Sequence, residues 1–217
     1  MTLDVQNLTL LRGGRRIVAD LSFQVTSGEA VLLRGPNGVG KSTLLRALCG
    51  LLPVEEGDVR FDGTPLTDRD AWVAQIAYAG HADALKPQLT VAENIRFWAG
   101  LFGGEPEHAL TAFNLSEIAD RPVFACSAGQ KRRTGLARLA LAGDRRLWRL
   151  DEPTVSLDAQ TVSLVGDVIR AHLSRGGMAL IATHIDLGLD GRVLELSKPT
   201  PSKDRQTDDP FLAEGFA

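Results

Sequence analysis

The segment 35–42 constrains this chain more than any other part of its sequence. It reads Gly-Pro-Asn-Gly-Val-Gly-Lys-Ser and satisfies the pattern Gly-x-x-x-x-Gly-Lys-Ser/Thr at every fixed position. The apolar run 30–33 before it predicts a buried strand, and the apolar residues that follow are spaced for one face of a helix. A strand, a glycine loop and a helix in this order aim backbone N–H groups and the positive end of the helix dipole at one point. The sequence therefore predicts a phosphate-binding loop.

The residue types of this loop suit a nucleoside triphosphate. Glycines keep side chains out of the path of the phosphate. We expect Lys41 to reach the β- and γ-phosphates, Ser42 to ligate Mg²⁺ and Thr43 to make a contact near the α-phosphate. The candidate nucleotide-binding residues in and after the loop are Gly35, Pro36, Asn37, Gly38, Val39, Gly40, Lys41, Ser42 and Thr43.

Two adjacent acids, Asp151 and Glu152, follow a second mostly apolar run at 147–150. A nucleoside triphosphate site needs a carboxylate at the end of a neighbouring strand to hold Mg²⁺ through water, and a base to orient the attacking water. Asp151 fits the first role and Glu152 the second. In isolation such a pair is more typical of a solvated strand end or a helix N-cap, and the phosphate-binding loop favours the catalytic interpretation.

The order of the remaining segments predicts an α/β fold with a largely parallel sheet. Short strands and turns fill the first third, a helix-rich section covers about 92–141, and helix and strand patterns follow at 159–174 and 178–182. The composition changes at residue 197, so we expect a loose tail over 197–217. A length of 217 residues allows one large domain or one domain with an embedded subdomain.

Composition and charge exclude several classes of protein. The net charge of −3 supplies no global positive field, so no nucleic acid partner is expected. No apolar run approaches the roughly 18 residues of a membrane helix, and the first residues lack a signal peptide pattern, so we expect a cytoplasmic protein. Cys49 and Cys126 stand far apart without a CxxC partner, which argues against a zinc site or a redox motif.

Further motifs, in the expected order, resemble the ATP-binding cassette (ABC) ATPases from residue 3 to about residue 197. Segment 126–130, Cys-Ser-Ala-Gly-Gln, is similar to the LSGGQ signature of that family. Asp151-Glu152-Pro-Thr continues into Ser-Leu-Asp158, which resembles the D-loop, and Thr-His184 resembles the switch histidine. Together these landmarks are more specific than any one of them.

The resemblance implies a fold, cofactors and roles. The fold is an α/β P-loop nucleotide-binding domain over 1–196, with a RecA-like core, an N-terminal antiparallel β subdomain and an inserted α-helical signature subdomain at about 83–140. The cofactors are ATP and Mg²⁺. His184 would contact the γ-phosphate and hold Glu152 and the water in line, although a core histidine is the alternative.

The signature is expected to act between two copies of the chain. In the family, the signature of one subunit closes over the γ-phosphate that the P-loop of the other holds. The residues of this candidate trans site are Ser127, Ala128, Gly129 and Gln130, with Asp158 in the D-loop. A plain helix N-cap at this signature is compatible with that role.

The sequence departs from the family pattern at several places, among them Cys126, which conservatively replaces the leucine of the signature. No aromatic ring near the first turn is available to stack on adenine, and Arg12 or Arg16 could stack its guanidinium plane there instead. His81 stands where the family has the Q-loop glutamine and could still bind water or a metal shell. Arg149 places a charge in an apolar strand, where it could be paired, lie at an edge or weaken the site.

Segments 12–15, 80–86, 93–98 and 126–133 are similar to the ATP-binding subunits of the cytochrome c maturation system. That subfamily implies a peripheral ATPase on the cytoplasmic face of a bacterial inner membrane. Its partners would be a second copy of itself and integral membrane subunits that handle haem, and hydrolysis would drive release of a haem-loaded chaperone. No direct haem binding by this chain is expected.

The ATPase subunit of another ABC transporter is one alternative, and two other classes of function also stay open at this point. One is a cassette ATPase without a transporter, although such proteins usually carry two cassettes or a long coiled-coil insertion. The other is a nucleotide-binding regulatory module with little turnover, which Arg149 and the missing Q-loop glutamine favour. Co-purification with membrane proteins distinguishes the subunit of a membrane complex from a cassette ATPase without a transporter. Turnover of ATP in the assembled complex distinguishes that subunit from a regulatory module.

Overall fold

The computed structural model describes residues 1–143 and 145–199, so most of the predicted tail lies outside the described residues. The described strands are β1 (Thr2–Arg12), β2 (Arg15–Thr26), β3 (Ala30–Arg34), β4 (Glu56–Phe61), β5 (Thr64–Pro65), β6 (Ile76–Ala79), β7 (Leu147–Asp151), β8 (Met178–Ala182) and β9 (Gly191–Glu195). The described helices are α1 (Lys41–Leu48), α2 (Arg69–Ala74), α3 (Val91–Phe102), α4 (Pro106–Ala112), α5 (Ala128–Leu136), α6 (Arg138–Leu141) and α7 (Ala159–Ser174).

A five-stranded parallel sheet forms the centre of the molecule in the order β6-β7-β8-β3-β9. Every residue of β7 and β8 is buried, which explains why these strands are nearly continuous apolar runs. Because all five strands run the same way, the loops that follow β3, β6, β7 and β8 meet at one edge. The predicted α/β fold with a parallel sheet is confirmed.

A second sheet is antiparallel, in the order β2-β1-β4-β5. Buried residues of β1 alternate in part along the strand and pack with α1 and β3 in one apolar cluster. This is the predicted N-terminal antiparallel sheet. The sequence patterns did not predict α2, β6 and β9, which are short or, in β9, largely exposed.

The helices α3 to α6 lie between β6 and β7 and pack around a second apolar cluster that also contains residues of the parallel sheet. A capping box fixes the start of α3: Glu93 N donates to Thr90 Oγ1 at 3.1 Å and Thr90 N donates to Glu93 Oε2 at 2.8 Å. The helices fall within the region proposed as an inserted subdomain, whose bounds of about 83–140 stay a prediction.

A buried histidine on α7 makes the fold sensitive to acid. The His172 ring stacks on Trp148, with 3.8 Å between ring centroids, and its Nε2 lies 3.2 Å from the Met178 carbonyl oxygen. Burial lowers the pKa of His172 from 6.5 to about 4, although hydrogen bonds with the Met178 and Arg146 backbone act in the opposite direction. The fold therefore binds the neutral ring and disfavours the charged one.

We expect His172 to reduce the free energy of unfolding as the pH falls from 6.5, where the unfolded chain begins to bind the proton, to about 4. The full loss is on the order of 3 kcal/mol. Urea unfolding at pH 7 and pH 5 measures it in the natural protein and in His172→Gln, with the exposed His108→Gln as control. An equal pH dependence in the natural and His172→Gln proteins would contradict the assignment.

Candidate functional site

The glycines of the phosphate-binding loop are required by the packing of the loop as well as by its conformation. Gly35, Gly38 and Gly40 have φ of 135°, 76° and 117°. A Cβ atom on Gly35 would lie 2.4 Å from the Leu196 carbonyl oxygen, and one on Gly40 would lie 2.6 Å from Ile17 Cγ2. A side chain at either position is therefore excluded by the chain itself, whereas Gly38 faces open space.

The loop places its lysine and serine at the edge of the parallel sheet. Lys41 is buried at the start of α1, and its Nζ donates to the carbonyl oxygens of Gly35 at 2.7 Å and Pro36 at 3.3 Å. Ser42 Oγ donates to Asp151 Oδ1 at 2.9 Å. The two residues predicted as ligands of Mg²⁺ are thus in contact across 109 positions of sequence.

Glu152 and His184 also meet at this edge, because they follow the neighbouring strands β7 and β8. Glu152 Oε1 lies 3.4 Å from His184 Nε2, and both side chains are partly open to solvent, with 25% and 52% exposed. Glu152 adopts a left-handed conformation with φ of 49°, and its N–H donates to the Ala182 carbonyl oxygen at 2.8 Å. The structure therefore brings together the predicted base and switch histidine.

The signature segment forms the exposed start of α5. Ser127 Oγ accepts from Gln130 N at 3.2 Å, and Ser127 N donates to Gln130 Oε1 at 2.9 Å, which confirms the helix N-cap. Ser127 and Ala128 are exposed. A Cβ atom on Gly129 would lie 3.2 Å from the Ser156 carbonyl oxygen, so the signature borders the D-loop of its own chain. Its action across two copies stays a prediction.

The other predicted site residues are exposed. Asp158 caps α7 by accepting from Thr161 N at 2.8 Å, and this hydrogen bond lowers its pKa. His81 is exposed just beyond β6, which pairs with β7, so it belongs to the same edge as Glu152. Arg12 is exposed at the end of β1. The stacking of Arg12 on the adenine ring stays a prediction.

Sequence patterns did not identify two arginines that tie the loops of this edge together. Arg132, on α5, donates to the carbonyl oxygens of Gly80 at 3.0 Å and Glu152 at 2.7 Å. Arg34, at the end of β3, donates to the Thr183 carbonyl oxygen next to the switch histidine. The sequence marked these two arginines only as part of the basic run at 131–133 and as the charged residue directly before the phosphate-binding loop.

Arg149 lies in β7, which pairs with β6 and β8, so it is not on an edge strand of the sheet. It is completely buried; its Nη1 lies 3.9 Å from Cys49 Sγ, and its guanidinium carbon lies 5.6 Å from the centre of the Trp72 ring. Burial lowers the pKa of this arginine. These contacts are with the C-terminal end of α1 and with α2.

The fold and the site together define a P-loop nucleotide-binding domain with a signature helix, which is the ATP-binding cassette class. The family described as ABC transporter matches residues 18–155. The chain is 52% identical over 211 residues to the cytochrome c biogenesis ATP-binding export protein CcmA of Ruegeria pomeroyi, covering 97% of this chain and 98% of that protein. The chain therefore belongs to the ABC transporter family and, within it, to the family of cytochrome c biogenesis ATP-binding export proteins CcmA.

Another relative agrees with this membership, and two solved structures agree with the fold. The protein of the same name from Paracoccus denitrificans is 54% identical over 196 residues, covering 89% of this chain and 88% of that protein. The structure of an ATP-binding subunit of an ABC transporter has a TM-score of 0.79 at 25% identity, covering 90% of this chain and 86% of the other. The ADP conformation of an ATP-binding cassette has a TM-score of 0.75 at 24% identity, covering 90% and 87%, and supports the fold.

The resemblance to the cassette ATPases and the fold that it implied are confirmed by these matches. Within residues 1–143 and 145–199, no helix has both the length and the apolar character needed to cross a membrane.

Proposed function

We propose that this chain is the ATP-binding and hydrolysing subunit of a membrane complex for cytochrome c biogenesis, which couples hydrolysis to haem export or to release of a haem chaperone. One observation carries the proposal: the phosphate-binding loop, the Ser42 and Asp151 pair and the Glu152 and His184 pair share one edge of the parallel sheet. The names of the relatives support the biological role.

ATP would bind with its phosphates in the loop before α1. The backbone N–H groups of the loop and the N-terminal end of α1 favour negative charge at this point. Lys41 Nζ now lies against the Gly35 and Pro36 carbonyl oxygens and would instead pair with the β- and γ-phosphates. The α1 residue Thr43 would contact the phosphates from the next position. The binding energy thus comes from dipoles that are already in place and from a cation that exchanges carbonyl partners for the phosphates.

Ser42 and Asp151 form a donor set that suits Mg²⁺. Both offer oxygen atoms, which are 2.9 Å apart, and Mg²⁺ in such sites usually has one or two protein ligands with phosphate and water oxygens. When bound, the ion would neutralise negative charge on the phosphates. Asp151 is buried, so its carboxylate is held in one orientation by its surroundings.

Hydrolysis would use Glu152 as the base. A water molecule attacks the γ-phosphorus, the bond from this phosphorus to the bridging oxygen breaks, and Glu152 accepts a proton from the water. His184, in contact with Glu152 at 3.4 Å, would hold the carboxylate in line and contact the γ-phosphate. The products are ADP and phosphate. His81, on the loop after β6, would bind the attacking water or the metal shell.

Two copies would close around each nucleotide. The signature residues 127–130 of one copy, of which Ser127 and Ala128 are exposed, would cover the γ-phosphate in the loop of the other. Ser127 Oγ and the N–H of Gly129 at the start of α5 would donate to the phosphate oxygens. Asp158 and the D-loop border the signature and would enter the same interface. The active unit is therefore a homodimer of nucleotide-binding subunits.

We expect Ser127→Arg to abolish ATP hydrolysis while leaving ATP binding to the isolated chain intact, because the added side chain blocks closure of its own signature over the phosphate in the other copy and does not touch its own P-loop. Loss of the N-cap costs about 1 kcal/mol of stability, so a thermal denaturation curve accompanies the assay. Ser174→Arg, at the far end of α7, is the matched control. A fully active Ser127→Arg protein would exclude the two-copy site.

Integral membrane subunits of the cytochrome c maturation complex are the proposed partners, at the cytoplasmic face of the inner membrane. Two apolar side chains on α3 are exposed, Phe97 at 42% and Leu101 at 57%. We expect them to belong to the surface that docks on the membrane subunits. The test is co-purification of the tagged chain from detergent-solubilised membranes. We expect integral membrane proteins in the eluate, and a chain recovered without them would contradict the proposed partnership.

A further inference from the structure

A buried arginine on the signature helix contacts both loops that carry the proposed hydrolysis residues. Arg132 lies in α5, only 5% exposed, and its partners are backbone carbonyl oxygens and one carboxylate. The signature itself, at the start of α5, is six residues or fewer away along the chain. A single side chain therefore connects the helix that would meet the second copy to the site that would hydrolyse ATP.

The first loop is the one that follows β6 and carries His81. Arg132 Nη1 donates to Asp83 Oδ1 at 2.7 Å and to the Gly80 carbonyl oxygen at 3.0 Å, and lies 3.5 Å from the His81 carbonyl oxygen. The guanidinium thus holds the loop from both sides of His81. The position of that histidine is consequently tied to α5.

The second loop is the one that follows β7 and carries Glu152. Arg132 Nη2 donates to the Glu152 carbonyl oxygen at 2.7 Å, and Arg132 Nε donates to the Pro153 carbonyl oxygen at 3.2 Å. Glu152 has the left-handed conformation that non-glycine residues seldom adopt, with φ of 49°. Arg132 holds the carbonyl side of this residue, while Ala182 holds its N–H.

Asp83 also contacts the backbone of α5 and a side chain at the start of α6. A Cβ atom on Gly135 would lie 2.7 Å from Asp83 Cβ, so the loop packs directly against the α5 backbone. Arg138 Nη1 donates to the Asp83 carbonyl oxygen at 3.0 Å. The guanidinium of Arg132 is thus one part of a close contact between α5 and the loop. A movement of α5 must carry the loop with it or break these bonds.

We propose that Arg132 is a positioning residue that transmits the position of the signature helix to the Glu152 backbone and to the His81 loop. This inference rests on the proposed function. Arginine is required because its planar fork of five N–H donors serves two loops at once, whereas the ammonium of lysine is a compact point charge that cannot span them. Arg132 itself touches no reacting atom and acts through Glu152.

The substitution Arg132→Lys in the complete chain, assembled with its membrane subunits, tests the link to hydrolysis. We expect kcat for ATP to fall by about 10- to 100-fold, because small misplacements of a catalytic group have effects of this size. KM for ATP should stay within about twofold, because the P-loop is untouched. The control is Arg192→Lys. Arg192 Nε lies 2.8 Å from Glu29 Oε1, and Glu29 directly precedes β3, at the opposite edge of the parallel sheet from the P-loop.

Asp83→Ala and the double variant complete the test. We expect the two single effects on kcat to be strongly non-additive, because both remove the same 2.7 Å contact. Additive effects, an unchanged kcat in Arg132→Lys, or a raised KM with kcat unchanged would each overturn the inference. These outcomes leave the proposed function intact, since the natural protein still hydrolyses ATP in each of them.

Amide hydrogen exchange decides the inference even where hydrolysis by the natural protein is absent, a result that would refute the proposed function. In Arg132→Lys we expect faster exchange in segments 80–85 and 151–155 and unchanged exchange in the P-loop at 35–42. Unchanged exchange in both of the first two segments would overturn the positioning role. An increase spread over the whole domain would also overturn it, because it indicates general destabilisation.

Discussion

Glu152→Gln should keep ATP bound and reduce its hydrolysis by about 10²- to 10⁴-fold, the usual contribution of general base catalysis. Glutamine has the shape of glutamate and can still lie beside His184, which is 3.4 Å away in the natural protein. It cannot accept the proton of the attacking water. The contacts of Lys41 and Ser42 with their partners do not involve this side chain, so binding is preserved.

Phosphate release by the assembled complex and equilibrium binding of a fluorescent ATP analogue measure the two halves of this prediction. Glu107→Gln, an exposed glutamate on α4, is the matched control and should behave as the natural protein does. Hydrolysis by Glu152→Gln at the unaltered rate would show that another group activates the water. Loss of binding would show that Glu152 holds the nucleotide.

Lys41→Ala should remove ATP binding. The phosphates of the nucleotide would lie against the buried end of α1, and the lysine is their cationic partner there. Removing one partner of such a buried charge pair costs about 3–5 kcal/mol, which weakens binding by more than about a hundredfold. Hydrolysis is lost as a consequence, because no nucleotide reaches Glu152 at ordinary concentrations.

Titration with the same ATP analogue measures this effect, and Lys86→Ala is the control because Lys86 lies on the loop before α3, over the Phe97 ring. A thermal denaturation curve shows whether Lys41→Ala is folded, since the Gly35 and Pro36 carbonyl oxygens lose a donor. A folded Lys41→Ala chain that binds the analogue as tightly as the natural protein would contradict the assignment.

Elements with strong local signals could be predicted from the sequence. The helix at 159–174 and the strand at 178–182 were predicted with the bounds that the structure shows, because an aspartate caps the helix and a glycine pair separates the two. The contact of Ser42 with Asp151 was also predictable. Each motif follows a strand of the parallel sheet, and the ends of β3 and β7, on either side of β8, bring the two motifs to the same edge.

Other features depend on contacts that no local pattern encodes. The strand β6 has only four residues, two of them alanine, and β9 is a largely exposed edge strand, so neither shows a clear period. The partners of Arg132 lie about 50 positions before it and about 20 after it. The burial of Arg149 against Cys49 and Trp72 could not be predicted either, because it depends on how α1 and α2 pack.

Mixing two inactive variants tests the two-copy ATPase site most directly. Lys41→Ala lacks a working P-loop and Ser127→Arg lacks a working signature, so each alone should be inactive. A mixed dimer holds one complete site, made from the P-loop of the Ser127→Arg chain and the signature of the Lys41→Ala chain. Co-assembly in equal amounts should restore about a quarter of the natural ATPase activity, since half of the dimers are mixed and each has one of two sites. A mixture as inactive as its components would contradict the shared site.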